Sequence, residues 1–397
     1  MTVNLQEVMN LDQQYYMNTF GKRTPVCFSR GEGIHLYDTE NTEYTDFLAG
    51  IAVSALGHAH PTLTKALHNQ VDKLLHTSSL YYIENQARLA EQIVKHSVAD
   101  KVFFANSGAE ANEGAMKLAK IYFYKKNQPE KQEIITLKSS FHGRTLTCVA
   151  ATGQEKYQKP YKPLTPGFAH VPINDFETLE KAVTEKTAAI MVELIQGESG
   201  VNPLTQEYVD KVVALCKEKE ILLIVDEIQT GMGRTGAYFC YENYGIEPDI
   251  FTMAKALGGG VPIGAVCAKD AVCAFAPGDH GTTFGGNPLA TAAGLAVFEA
   301  MDAEKLVENA KTVGAYLKKR ILDLENPLVK EVRGMGLLIG VEFSEPVAKE
   351  VQAKLFEQKY LCGAVGDKIL RLAPPLILTK ADADAFVSVL AGILKGE

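Results

Sequence analysis

The sequence predicts an α/β protein with two parts: a large domain built on a mostly parallel, doubly wound sheet, and a smaller α+β domain. Between about residues 102 and 270, short apolar runs alternate with amphipathic stretches, a pattern typical of parallel strands joined by helices. After Gly286 the pattern changes to two long helical stretches and a pair of strands. No segment rich in Pro, Gly or Ser separates the two regions, so we expect them to pack against each other.

The strands of the large domain are predicted from short apolar runs that are bounded by polar or glycine-containing turns. They are Val102–Ala105, Glu133–Leu137, Ala188–Leu194, Ile221–Val225, Ile250–Met253 and Gly264–Cys267. Helices are predicted where apolar residues recur three or four positions apart. The two clearest are Ala109–Lys126 and Glu207–Glu220.

The smaller domain is predicted from its long helical stretches and the strands that follow them. Its elements are helices at Leu289–Met301 and Ala303–Leu324, a strand pair within Val329–Phe343, a helix, and a last strand at Ile369–Leu372. The first 45 residues or so show weak periodicity, and we expect them to lie on the surface of one or both domains. The predicted division is therefore an N-terminal segment (1–46), a large domain (47–285) and a small C-terminal domain (286–397).

Composition excludes several classes of partner. The chain has 397 residues, a formal net charge of −8 and no block rich in Lys or Arg, so it lacks the basic face that nucleic acids and anionic membranes require. The longest aliphatic run, Ile221–Val225, is far shorter than the ~20 apolar residues that span a bilayer. The opening MTVNLQEVMN does not resemble a secretory signal, so we expect a cytoplasmic protein.

Neither the cysteines nor the histidines predict a metal site. The seven cysteines are scattered and form no C-x-x-C pair, which argues against a disulfide framework and against a thiolate zinc site. His58 and His60 alternate in GHAHP, but no acidic residue or cysteine lies nearby to complete a ligand set. We therefore expect no bound metal and interpret the cysteines as free thiols.

A phosphate-binding turn is predicted where the first strand of the large domain meets its helix. Ligands of open α/β sheets bind beyond the carboxyl ends of the strands, and here Ser107, Gly108 and Ala109 follow a strand and open a helix. The free N–H groups and the dipole of a helix N-terminus favour a phosphate. The alternative is an ordinary turn in which Ser107 caps the helix.

A carboxylate, Asp226, follows the aliphatic run ILLIV. A carboxylate at that position is costly unless a cation or a strong donor meets it, so we expect a positively charged partner there. The next residues contain Gly231, Gly233 and Gly236 in a G-x-G-x-x-G pattern, which suggests a nucleotide-binding protein as a distant alternative. The pattern fits that motif poorly because AYFCYENYG, which follows it, does not look helical.

Two further strand ends carry candidate residues. Lys255 lies between an apolar strand and the run Gly258–Gly260, where loss of hydration lowers the pKa of an amine and frees its lone pair for attack on a carbonyl. In FHGRT, Phe141 and Arg144 follow the strand EIITLK, and this pair can stack on a flat ring and bind a carboxylate. Core packing for Phe141 and a surface position for Arg144 are the alternatives.

Together these strand ends match the requirements of pyridoxal 5′-phosphate. That cofactor needs an anchored phosphate, an acidic partner for its ring nitrogen, a lysine for imine formation and a stacking surface. At ~4 Å and an effective dielectric constant near 20, a carboxylate and a pyridinium attract each other by up to about 4 kcal/mol. Such a pair would keep the ring nitrogen protonated.

The sequence resembles the class III, or ω-amino acid, pyridoxal-phosphate-dependent aminotransferases. The resemblance runs almost end to end through MNTFGKRTPVCFSRGEG, NSGAEANEGAMKLAK, FHGRT, VELIQGESGV, IVDEIQTGMGRTG, AKALGGGVPIGA, GTTFGGNPLA and LRLAPPL. It implies the aminotransferase fold type I, with the cofactor in the large domain. Members of the family often have Tyr where this sequence has Phe20, a departure that concerns donor specificity.

The resemblance also implies residue roles. Lys255 would bind the cofactor covalently and move the substrate proton, and Asp226 would pair with the ring nitrogen. The other implied cofactor contacts are Gln229 near the ring hydroxyl, Phe141 on the ring face, Ser107, Gly108 and Ala109 at the phosphate, and Thr283 reaching the phosphate from the second subunit of a homodimer. The implied substrate contacts are Arg144 and Arg371 for carboxylates, with Glu198 pairing with Arg371 when the substrate has no second carboxylate.

The implied reaction moves the δ-amino group of N2-acetyl-L-ornithine to 2-oxoglutarate, giving N-acetylglutamate 5-semialdehyde and glutamate, as in arginine biosynthesis. Another ω-amine donor remains an alternative: ornithine, succinylornithine, 4-aminobutyrate or a substrate of the acetyl-lysine type.

Overall fold

A computed structural model describes residues 4–396 of the chain. Its strands are β1 Phe28–Glu32, β2 His35–Asp38, β3 Glu43–Asp46, β4 Lys101–Ala105, β5 Glu133–Leu137, β6 Phe168–Val171, β7 Thr187–Val192, β8 Ile195–Gln196, β9 Asn202–Pro203, β10 Leu222–Asp226, β11 Ile250–Met253, β12 Gly264–Ala268, β13 Val329–Met335, β14 Leu338–Phe343, β15 Tyr360–Leu361, β16 Gly363–Val365 and β17 Ile369–Leu372.

The helices alternate with these strands through the middle of the chain and dominate after residue 287. They are α1 Leu5–Tyr15, α2 Ala49–Ala52, α3 Pro61–Val71, α4 Glu84–Lys95, α5 Gly108–Lys125, α6 Leu146–Ala151, α7 Glu155–Gln158, α8 Phe176–Ala182, α9 Gln206–Glu218, α10 Cys240–Asn243, α11 Pro288–Ala303, α12 Leu306–Leu322, α13 Ala348–Glu357 and α14 Lys380–Lys395. Over residues 4–396, no helix combines the length and the apolar character needed to cross a membrane.

The central sheet has seven strands in the order β4-β12-β11-β10-β7-β5-β6. Its pairs are parallel except at β12, which runs antiparallel to both β11 and β4. The prediction of a mostly parallel sheet is therefore confirmed, and the one reversed strand is a detail that apolar patterning does not reveal.

Both faces of this sheet are buried, as a doubly wound fold requires. Successive residues of β10 belong to opposite cores: Ile224 packs with α5, whereas Leu223 and Val225 pack in the larger cluster on the other face. The same aliphatic run thus supplies two cores. For this reason β10 reads as a continuous apolar stretch rather than an alternating one.

A second, four-stranded antiparallel sheet in the order β13-β14-β17-β16 forms near the C-terminus. Arg333 of β13 lies opposite Gly340 of β14, which in turn lies opposite Arg371 of β17. These three residues therefore form one row across the sheet and share a face.

The N-terminal segment contains strands that its weak periodicity did not predict. β1, β2 and β3 pair in sequence, and β3 also pairs in parallel with β15. The register joins Thr45 to Tyr360, so part of the segment is held to the C-terminal region by backbone hydrogen bonds. The division at residues 46 and 285 stays a prediction.

Two predicted element ends shift in the structure. The strand predicted to reach Leu194 ends at Val192, and the predicted helix Ala303–Leu324 begins at Leu306. Lys305 has a left-handed backbone with φ of 51°. That conformation separates α11 from α12, and sequence periodicity does not show it.

Candidate active site

A cavity of about 350 Å³ lies at the carboxyl ends of the central parallel strands. Eight of the eleven predicted site residues line it: Ser107, Gly108, Ala109, Phe141, Glu198, Asp226, Gln229 and Lys255. The volume falls in the range of about 300–1,000 Å³ that is usual for small-molecule sites. Topology thus brings together side chains that are up to 148 residues apart in the sequence.

The turn between β4 and α5 supplies backbone donors at one end of the cavity. Ser107 caps α5, with its Oγ accepting from Glu110 N at 3.2 Å, so the capping alternative holds as well. A helix leaves the N–H groups of its first turn without intrahelical acceptors. A Cβ on Gly108 would lie 2.8 Å from Ile228 Cδ1, so glycine lets the cavity wall come close to this turn.

Asp226 is held by residues that sequence reasoning missed. Its Oδ2 accepts from Asn112 Nδ2 at 2.8 Å and lies 2.8 Å from His142 Nδ1, while its Oδ1 accepts from Ile228 N at 3.0 Å. Asn112 also donates to the His142 carbonyl and accepts from Thr252 Oγ1. This network fixes the carboxylate at the end of β10, in a position where it is only 4% exposed.

Lys255 follows β11 with a left-handed backbone, φ 44°. A residue with a side chain rarely adopts this conformation, and such strain concentrates at functional sites. Burial lowers the pKa of its amine, although the carboxylates of Glu198 and Asp226 oppose that effect. The amine is therefore easier to deprotonate than that of an exposed lysine.

Two buried glutamates near Asp226 were also missed. Glu193 lines the cavity and accepts from Phe141 N at 2.8 Å. Burial, reinforced by the charge of Asp226, raises its pKa well above the ordinary value. In the sequence, Glu193 lay inside the predicted strand Ala188–Leu194, and no charge pattern distinguished it.

Glu227 accepts hydrogen bonds from Thr230 Oγ1 at 2.5 Å and from Tyr241 N at 2.9 Å. Burial raises its pKa to about 7. It therefore orders the loop that follows Asp226 and carries Gln229.

Glu198 and Arg371 form an ion pair beside the cavity. Glu198 Oε1 lies 2.6 Å from Arg371 Nη1 and accepts from Gln229 Nε2 at 3.0 Å. Burial raises the pKa of Glu198, but Arg371, Gln229 and Lys255 together hold it below the ordinary value. Gln229 Oε1 is buried without a partner among residues 4–396 and lies against Gly197, where an added Cβ would be 1.6 Å from it.

Like Arg371, the last two predicted residues, Arg144 and Thr283, lie outside the lining of this cavity. The exposed Arg144 guanidinium carbon is 4.2 Å from the ring centroid of Tyr157 and 5.5 Å from that of Phe141. Thr283 is exposed in the loop whose Thr282 Oγ1 accepts from Asn106 Nδ2 at 3.1 Å. No pattern in the sequence predicted that the Tyr157 ring would pack against Arg144.

The residues around the cavity fit pyridoxal 5′-phosphate. Free backbone donors, a side-chain amide, a buried carboxylate and an amine meet at one cavity beside Phe141, and each suits a different part of that cofactor. The arrangement does not fit the dinucleotide alternative. Arg234, in the middle of the glycine pattern, is buried and donates to the carbonyls of Leu337 and Pro374, and no helix begins between the glycine pattern and Cys240.

Comparison with known proteins gives one consistent family. Residues 16–394 match the family described as Aminotransferase class-III. The chain is 52% identical to a protein named acetylornithine aminotransferase from Gloeobacter violaceus, covering 96% of both chains, and 47% identical to one of that name from Methanocaldococcus jannaschii, again over 96% of both.

Solved structures agree with this relationship. A crystallised ornithine aminotransferase from Toxoplasma gondii, described with partial occupancy of PLP, superposes with a TM-score of 0.95 at 32% identity, covering 100% of this chain and 95% of that one. An acetylornithine aminotransferase from Elizabethkingia anophelis gives 0.89 at 32% identity, with 100% of both chains covered. The chain belongs to the class-III aminotransferases and is a pyridoxal-phosphate-dependent enzyme.

Proposed function

We propose that the enzyme transfers the δ-amino group of N2-acetyl-L-ornithine to 2-oxoglutarate and acts in arginine biosynthesis. The observation that carries this proposal is the Glu198–Arg371 ion pair at 2.6 Å. Acetylornithine has one carboxylate, whereas 2-oxoglutarate has two, so the site needs an arginine that is neutralised for one substrate and free for the other. The names of the relatives at 45–52% identity support the same donor.

The cofactor would be held by the residues around the cavity. When bound, pyridoxal phosphate supplies an electron sink that allows an amino group to leave one carbon and join another. Ser107, Gly108 and Ala109 would bind its phosphate, and Phe141 would cover one ring face. Gln229, which also lines the cavity, would lie near the ring hydroxyl.

Asp226 and Lys255 would perform the proton chemistry. Asp226, fixed by Asn112 and His142, would keep a proton on the ring nitrogen. Lys255 would hold the cofactor between turnovers, and once displaced by substrate it would take the proton from the carbon that bears the amine. Its lowered pKa favours the free base that this step requires.

The two arginines would select the substrates. In the first half-reaction Arg144 would bind the α-carboxylate of acetylornithine while Glu198 neutralises Arg371. An unpaired, partly desolvated guanidinium beside a neutral amide would be costly. In the second half-reaction Glu198 would move away, so that 2-oxoglutarate meets both arginines.

The active unit would be a homodimer in which Thr283 reaches the phosphate of the partner's site. Leu80, Tyr82 and Phe284 are large apolar side chains with exposed fractions of 87%, 107% and 59% in the single chain. Large exposed apolar side chains are frequent at association sites. We also propose that the enzyme is cytoplasmic, where its amino acid substrates and 2-oxoglutarate are available.

A panel of amino donors tests the proposed substrate. With 2-oxoglutarate as acceptor, kcat/KM should be highest for N2-acetylornithine among that compound, ornithine, succinylornithine, 4-aminobutyrate and N-acetyl-lysine. A higher value for ornithine would replace the proposed donor, and the 32% identical ornithine aminotransferases make it the first competitor to measure. Phe20, which is 71% exposed, would then be changed to Tyr to learn whether the missing hydroxyl sets the preference.

A further inference from the structure

Two arginines of the small antiparallel sheet bind the loop that carries Glu198, one at each end of the loop. β8 and β9 pair in antiparallel fashion through Gln196 and Asn202, so residues 197–201 form the tip of a hairpin. Arg371 Nη1 contacts the start of the tip through Glu198 and the Gly197 carbonyl, at 2.6 and 3.3 Å.

Arg333 contacts the other end of the same tip. Its Nη2 donates to the Gly200 carbonyl at 2.8 Å, and its Nε lies 3.1 Å from both the Gly200 and the Val201 carbonyl. All of these acceptors are backbone atoms. Arg333 therefore fixes the path of the chain without a hydrogen bond to any side chain of the tip.

Gly340 allows the tip to lie directly on the sheet between the two arginines. It occupies the middle of the row Arg333–Gly340–Arg371, and a Cβ there would lie 3.0 Å from the Gly200 carbonyl oxygen and 3.1 Å from Val201 Cβ. A Cβ at this position would require the tip to shift by a few tenths of an ångström.

The charge of Arg333 is already compensated. Its Nη1 lies 2.5 Å from Glu342 Oε2 and 3.0 Å from Glu331 Oε2. It therefore has little tendency to compete with Arg371 for Glu198 or for a substrate carboxylate. The two arginines therefore have different partners. Arg371 binds the Glu198 side chain, which a substrate carboxylate would replace, and Arg333 binds backbone carbonyls.

We propose that Arg333 is a positioning residue that anchors the Glu198 loop, so that the exchange between ω-amine donor and dicarboxylate involves the Glu198 side chain alone. The proposal rests on the function proposed above. With the far end of the tip anchored, Glu198 returns to Arg371 after each dicarboxylate leaves. Without the anchor, the whole tip moves and Arg371 stays unneutralised when the ω-amine donor binds.

Single-turnover rates of the holoenzyme with N2-acetylornithine and with glutamate test the anchor. Arg333→Met should lower the acetylornithine rate relative to the glutamate rate by about tenfold or more, because the loss of even one hydrogen bond from a charged donor corresponds to that factor. Arg333→Lys should restore part of that ratio. Lys330→Met is the matched control, because Lys330 also binds Glu342, at 2.6 Å, from the same strand; its ratio should stay within about twofold of the wild type.

Gly340→Ala provides a second test that removes no charge. It should lower the ratio of the acetylornithine rate to the glutamate rate by displacing the tip. If Arg333→Met does not fold, this variant tests the anchoring role instead. Equal losses with both donors, or an unchanged ratio in a folded variant, would refute the proposal that Arg333 anchors the Glu198 loop. Failure of the proposed function would look different, because the wild-type enzyme itself would not react with N2-acetylornithine; the ratio would then be measured with whichever ω-amine donor reacts.

Discussion

At the scale of single residues, Lys255 shows how the fold prepares a side chain for chemistry. Its backbone is left-handed and its amine is buried beside Asp226 and Glu198. Both features follow from the abrupt end of β11, where an apolar strand passes into a glycine-rich turn. At this position the amine lies at the cavity.

Lys255→Ala should abolish amino transfer while the protein still binds pyridoxal phosphate without a covalent bond. Absorbance of the bound cofactor and mass spectrometry after borohydride reduction measure the two effects. The wild-type chain should carry reduced cofactor on Lys255 and the variant on no residue. Reduction onto a different lysine, or turnover at the wild-type rate, would refute the assignment.

Glu227 predicts a dependence of stability on pH. Its folded-state pKa, about 7, lies above the ordinary value of 4.5, so the unfolded chain loses this proton at lower pH than the folded one. The resulting stabilisation is complete below about pH 4 and is lost as the pH rises through 7, a change of up to about 3 kcal/mol.

Glu227→Gln should therefore gain stability relative to the wild type between pH 5 and pH 8, as measured by urea denaturation of the holoenzyme at both values. The exposed Glu185→Gln is the control and should show no such trend. A Glu227→Gln difference that is the same at both pH values would show that Glu227 is not protonated in the folded protein.

The sequence allowed prediction of residues whose signal is local. Asp226 and Lys255 each follow a purely apolar strand, so their place at the sheet edge was evident. Asn112, His142 and Glu193 hold or surround Asp226, yet they contact it only through tertiary structure. No spacing rule connects Asn112 with Asp226 across 114 residues, which is why the supporting network could not be predicted.

At the scale of elements, the β4–α5 turn depends on the neighbouring strand β12. Sequence patterning predicted this strand but not its direction. β12 runs antiparallel between β4 and β11, and its first residue, Gly264, lies against the turn. A Cβ at Gly264 would be 2.3 Å from the Ser107 carbonyl oxygen. A backbone atom cannot rotate away from such a contact, so the whole turn would have to move.

Gly264→Ala should weaken cofactor binding by at least about tenfold and lower the stability by about 1–3 kcal/mol, the usual cost of overpacking. Equilibrium binding of pyridoxal phosphate and thermal unfolding of the apoprotein measure the two effects. Unchanged cofactor affinity in a folded variant would mean that the turn does not determine phosphate binding.

At the scale of the whole molecule, the site combines the central sheet with the small antiparallel sheet. Asp226 and Lys255 follow strands of the first, whereas Arg371 lies in the second. The overall α/β architecture was predictable because apolar periodicity reports on buried strands and helices. The N-terminal strands were not, because β1 to β3 are short and only partly buried.

The proposed sharing of active sites between two subunits predicts that two inactive variants complement each other. In a hybrid of Lys255→Ala and Thr283→Asp subunits, one site would contain both changes and the other neither. Random exchange of subunits should restore about a quarter of the wild-type activity, since half of the dimers are hybrids with one intact site each. No recovery, with hybrid formation verified by differently tagged subunits, would place Thr283 outside the partner's site.

Under the proposed function, one carboxylate, Glu198, lets a single site accept both an ω-amine donor and a dicarboxylate. Single-turnover rates of Glu198→Ala with N2-acetylornithine and with glutamate test it most directly. Because only the first donor needs Arg371 to be neutralised, its rate should fall by about tenfold or more, in line with the loss of a partner for a desolvated charge, while the glutamate rate stays nearly unchanged. Equal losses with the two donors would contradict the account and leave the Glu198–Arg371 pair with a structural role alone.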